Sequence, residues 1–213
     1  MYRRSKADFE NRRAHEPHNS SVAAAICVTG VCYRAPGVTT SLLRDAFGHH
    51  VWATLRLIDS CRELTLEQLQ TSVSGTYGSI LDTMRHLVAT DASYLNITSG
   101  GLVPRIDDDE EERMDLEEMR AVMERHGALW SEVVEEEFDP DAVLVRHRPD
   151  GSETRAPLGI RLAQAIHHGT DHRSQICTAL TTLAIEPPPI DVWDFGEQDG
   201  RVIEVPPSTA TAG

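Results

Sequence analysis

Four stretches of this chain repeat apolar residues at the 3.6-residue period of an α-helix, and such faces bury together most readily in a helical bundle. The first opens on Thr40 or Ser41, either of which can accept a hydrogen bond from a first-turn amide, and carries Leu42, Leu43, Ala46, Phe47, His50, Thr54, Leu57, Ile58 and Cys61. The second covers 79–95, after breaks at Gly75 and Gly78, with Ile80, Met84, Leu87, Val88, Tyr94 and Leu95 on its apolar side. The third, 116–138, sets Met119, Val122, Met123, Leu129, Trp130, Val133 and Val134 against a glutamate-rich side. The fourth, 158–183, stops before Pro187-Pro188-Pro189, where the amides needed to continue a helix are missing. Between the third and fourth, residues 142–158 alternate in polarity around Pro149-Asp150-Gly151, the pattern of a hairpin closed by a tight turn. The sequence therefore predicts an all-α fold, a four-helix bundle with a short β-hairpin between helices three and four.

The flanks lack this periodicity. Residues 1–37 are expected to form a flexible extension, 38–195 the bundle, and 196–213 a disordered tail, with Val192, Trp193 and Phe195 packing back on the helices. The apolar stretch at 22–32 reads poorly as a secretory signal, because the segment before it is long and contains acids. The net charge of −14 and the scattered basic residues argue against nucleic acid, whose phosphates are held by clustered Lys and Arg. No apolar run is long enough to span a bilayer. The acidic run 107–112 reads as a solvated loop. Cys27, Cys32, Cys61 and Cys177 lack the spacing of a zinc site and suit a reducing cytoplasm.

Helix four carries His167-His168-Gly169-Thr170-Asp171-His172. At about 100° per residue, His168 and His172 fall one turn apart on nearly the same line, at the border of the apolar face, whereas His167 points to the polar side. Spacing alone leaves two readings open, a metal-ligating pair or two hydrogen-bonded histidines at the core edge. A metal needs a further ligand, for which His86 in helix two is the best candidate, although the centre of that helix's apolar arc lies nearer Asp91. Asp91 on such a face needs a partner, either a histidine or an arginine. Trp52 and Trp130 read as core or pocket-wall residues.

The chain resembles the DinB family of bacterial helical bundles from Leu42 to about Phe195. The resemblance rests on His49-His50-Val51-Trp52-Ala53-Thr54-Leu55-Arg56-Leu57-Ile58-Asp59, on Gly75-Thr76-Tyr77-Gly78-Ser79-Ile80 leading to His86-Leu87, on His168-Gly169-Thr170-Asp171-His172-Arg173-Ser174-Gln175-Ile176, and on Asp191-Val192-Trp193-Asp194. It implies a metal held by His86, His168 and His172. Ser174 stands where the family commonly has Gly, and His50 where Asn is common.

Three neutral imidazoles would leave a divalent ion its positive charge and an open position. Zinc and nickel are the first candidates, although several metals accept imidazole. Some relatives are similar to transferases that attach a low-molecular-weight thiol to an electrophile, so the resemblance implies thiol transfer to a small molecule through a metal-bound thiolate. A metal-dependent hydrolase, with a general base from His50, Asp91 or His49, and a non-catalytic stress protein that binds a metal or small ligand are the alternatives. Relatives are often homodimers, which the resemblance leaves open for this chain.

Overall fold

The computed structural model of the protein describes residues 41–205, apart from Pro149, and the backbone of residues 26–28 and 31–33. Most of the expected 1–37 extension, and residues 206–213 of the expected tail, lie outside the described residues. Within the former, strand β1 (Ile26–Val28) pairs antiparallel with β2 (Val31–Tyr33), a hairpin that the absence of strand periodicity at 1–37 does not anticipate.

Four long helices follow, α1 (Leu42–Cys61), α3 (Ile80–Thr98), α5 (Leu116–Glu135) and α6 (Leu158–Thr182), with the short helices α2 (Leu66–Leu69), α4 (Asp108–Arg113) and α7 (Val192–Gln198) between or after them. Their starts follow from capping chemistry. Ser41 Oγ accepts from the Arg44 amide at the head of α1, and the reciprocal pairs Ser79/Asp82 and Asp115/Glu118 close α3 and α5. Helix α6 begins on Pro157 with no side-chain cap. Instead its first amides, of Leu158 and Gly159, donate to the Ala142 and Pro140 carbonyls, so the turn that leads from α5 into the hairpin supplies the missing acceptors. The hairpin β3 (Val143–His147) and β4 (Glu153–Pro157) pairs Val143 with Pro157 and His147 with Glu153, and Gly151 takes the positive φ of 82° its turn requires.

Helix α1 packs on α5 and α6, and α3 packs on the same two, which leaves α1 and α3 facing each other across the bundle axis. The core between them is built from Phe47, Leu57, Ile58, Met84, Leu95, Met119, Met123, Trp130 and Leu180, all buried. Gly127 permits one close approach, since a Cβ there would lie 3.0 Å from Val51 of α1.

Three expectations need correction. Residues 108–113 are a helical turn rather than a loop, because Asp107 caps it and its acidic first turn complements the helix dipole. Helical structure continues past 195, as α7 ends at Gln198 and Arg201 reaches back to Asp45 of α1. Of the three apolar residues expected to pack back, Phe195 does so against Gly48, His49 and Trp52, whereas Val192 and Trp193 stay exposed, the latter by 66%. Among the described residues no helix is long and apolar enough to cross a membrane.

Candidate metal centre

His86 comes from the middle of α3, and His168 and His172 from successive turns of α6, where the two helices lie side by side. Their Nε2 atoms converge: His168 Nε2 is 3.3 Å from His86 Nε2 and 3.1 Å from His172 Nε2. One ligand atom from each of the three lies within 4.8 Å of the other two, so the group could hold a metal ion.

The outer ring nitrogens show that the site fits a cation. Gln175 Oε1 already accepts from the Tyr77 amide at 2.8 Å, which identifies it as the amide oxygen. His172 Nδ1, 3.3 Å from that oxygen, must therefore carry the proton and leave a lone pair on Nε2. His86 Nδ1 faces the Glu111 carboxylate at 3.5 Å, which selects the same tautomer. Burial lowers the pKa of all three, and that of His168, where the neighbouring His172 and His86 add to it, falls to about 4. His86 and His172 thus present neutral imidazoles whose Nε2 lone pairs turn inward toward His168 Nε2. Tyr77 stacks on His86 with ring centroids 4.1 Å apart, and Tyr94 meets His168 edge-on at 5.8 Å. His167 is exposed, as its wheel position implies.

A second polar cluster lies deeper. Asp91, 2% exposed, accepts from His50 Nε2 at 3.0 Å, His126 Nδ1 at 2.7 Å and Trp130 Nε1 at 3.0 Å. His50 Nδ1 is 3.0 Å from an Arg173 Nη1 that can only donate, so His50 is neutral with its proton on Nε2. Arg173 also donates to Thr54 Oγ1 and Thr170 Oγ1. One chain of bonds therefore joins α6, α1, α3 and α5. Burial alone would raise the pKa of Asp91, but the bonds from His126 and His50 outweigh it and hold the carboxyl well below its usual range.

The candidate catalytic residues His50 and Asp91 are thus brought together, with both ring nitrogens of the one and both oxygens of the other engaged inside the bundle. Asp91 takes histidine partners, yet neither belongs to the convergent triad. His49 Nε2 donates to the Ile190 carbonyl and anchors the segment before α7. Cys61 is buried and its thiol is pushed up to about 12, which removes it as a nucleophile.

Sequence reasoning misses His126 and Glu111. The first had a signal, since Met119, Met123, His126, Trp130 and Val134 form the single buried stripe of α5. Glu111 had none, because its approach to His86 depends on how α4 folds against α3.

A family model for the DinB family matches residues 39–203, from the cap of α1 to beyond α7. The chain belongs to the DinB family. No curated protein matches its sequence. Membership in the DinB family and the converging histidines together support a metal-binding protein.

Proposed function

We propose that this DinB-family protein is a metal-dependent transferase that joins a low-molecular-weight thiol to an electrophilic small molecule, with His86, His168 and His172 as the ligands of a zinc or nickel ion. The observation that carries the reading is the inward convergence of three neutral Nε2 atoms whose outer nitrogens are engaged by Glu111 and Gln175 for two of the three. A divalent ion there supplies a positive charge that favours the thiolate form of a thiol near neutral pH.

The chain's own contribution is to orient and to exclude. Glu111 and Gln175 fix the tautomers of His86 and His172, and Tyr77 covers one face of His86. In the transfer itself the thiol loses its proton to solvent, its sulfur forms a bond to the electrophilic carbon, and the leaving group departs with the electron pair. No protein general base is needed. That favours thiol transfer over hydrolysis, because both nitrogens of His50 and both oxygens of Asp91 are engaged in the buried network and His49 Nε2 is held by the Ile190 carbonyl. The free Cys61 and Cys177 accord with a cytoplasmic setting.

The test is to load the purified protein with zinc or nickel and assay it with candidate thiols and a chromogenic electrophile. Turnover that requires both metal and thiol supports the reading. Turnover without thiol would replace it with a hydrolase, and no metal-dependent turnover would leave a binding protein.

A further inference from the structure

Along α6, Arg161 lies seven residues before His168, so it shares the stripe of His168 and His172 at a distance of about 10 Å along the axis. Tyr94 of α3 lies at the same groove, its ring against His168. The β3–β4 hairpin closes this end. Arg161 Nη2 donates to the Leu144 and Thr154 carbonyls, both at 3.0 Å, and the alternation of β3 turns Leu144 and Arg146 toward the helices while Val143, Val145 and His147 face out.

Two guanidiniums are therefore gathered here without a counter-charge. Arg161 is only 8% exposed, and its Nε is buried with no hydrogen-bond partner; Arg146 Nε is buried and unpartnered as well. Among the described residues neither Arg146 nor Arg161 pairs with a carboxylate, although the chain carries 34 acidic residues against 20 basic ones. The charges that bear on Arg146 are those of Arg105, Arg148 and Arg161, which oppose its own, with Tyr94 nearby. Burying a cation without an anion is costly, and in so acidic a protein a carboxylate partner was easily supplied. What matches unpaired fork-shaped donors is a carboxylate or phosphate.

We propose that Arg146 and Arg161, with the charge of the exposed Arg105 added to theirs, form an oxyanion subsite at the far end of the α3–α6 groove from the histidine triad, and that it holds the acidic group of the small molecule whose reacting end faces the triad. The assignment of the anion to a reactant rests on the transferase reading; the subsite itself does not. The groove then selects ligands that carry a carboxylate or a phosphate about two helical turns from the reacting atom. It discriminates against neutral analogues, which leave the guanidinium charges without an anion.

The experiment is calorimetric titration of the full chain with inorganic phosphate and, separately, with glutarate, in the wild type and in Arg146→Gln and Arg105→Gln, with helicity checked by circular dichroism. Both substitutions are away from the histidines, and Arg105 is exposed, so its variant folds irrespective of the outcome at Arg146. Saturable binding of one anion, weakened about tenfold by each substitution, is expected, and whichever anion binds identifies the acidic group. Failure of both anions to saturate, or equal affinity in the wild type and Arg146→Gln, overturns the subsite. Anion binding that persists while no thiol turnover is found would sink the transferase reading alone, and turnover without anion binding would sink the subsite alone.

Discussion

Gly169 lies directly against the His50 imidazole: a Cβ on residue 169 would stand 2.5 Å from His50 Nδ1, the atom that accepts from Arg173. The glycine sits in mid-helix, where an alanine would otherwise be favoured. Its bare backbone is what allows α1 to deliver His50 into the buried network beside the candidate metal centre.

Gly169→Ala is therefore destabilising despite its better helix propensity. The methyl displaces His50, breaking its bonds to Arg173 and Asp91, with an expected loss of about 2 kcal/mol or more in urea unfolding. A variant as stable as the wild type would show that His50 has room to move.

Asp91→Asn removes the anion that balances Arg173 and leaves a buried guanidinium uncompensated, an expected loss of about 3–5 kcal/mol. The same carboxylate sets an acid limit. Its folded pKa lies below the ordinary value of 3.8, so the unfolded chain binds the proton first and the stabilisation is lost as pH falls from about 5 through the folded value. Wild-type unfolding free energy is expected to drop over that range, and the slope to be shallower in Asp91→Asn. Parallel slopes would assign acid sensitivity to other carboxylates.

Metal analysis of the purified protein beside a His168→Ala/His172→Ala double variant tests the centre itself. The expected result is near-stoichiometric metal in the wild type, lost from a variant that remains helical. Equal metal in both would make these histidines structural.

Glu111→Gln keeps the size of the side chain but weakens the hold on His86 Nδ1. Metal affinity measured by chelator competition is expected to fall about tenfold or more, with helicity unchanged. An unaltered affinity would leave Glu111 as a surface acid that merely lies near His86.

Ala184 ends α6 with φ of 57°, and Ile185 N closes the last turn on the Leu180 carbonyl. Glycine is the residue this left-handed position favours, so Ala184→Gly is expected to raise stability by about 0.5–1 kcal/mol, read as a higher midpoint in thermal unfolding.

The bundle was legible because each long helix carries its own apolar stripe and three of the four carry their own start signal, Ser41, Ser79 and Asp115 capping α1, α3 and α5, whereas α6 takes its first acceptors from residues 140 and 142. His168 and His172 were legible for the same reason, one helix placing both on one line. Wheel geometry drew attention to Asp91 rather than His86, and the structure explains why: Asp91 faces the bundle axis, whereas His86 stands at the groove toward α6.

Local sequence thus determined the four long helices and where they start, the hairpin turn and the pairing of two histidines, since these depend on residues within a few positions of one another. Tertiary structure alone decided that His86 meets them, that Glu111 turns from a presumed solvated run onto its ring, that His126 and His50 share Asp91, and that Arg146 and Arg161 gather beside Tyr94. Each of these joins positions far apart in the chain. Their approach is set by which helix packs on which, and the period of an isolated helix carries no record of that choice.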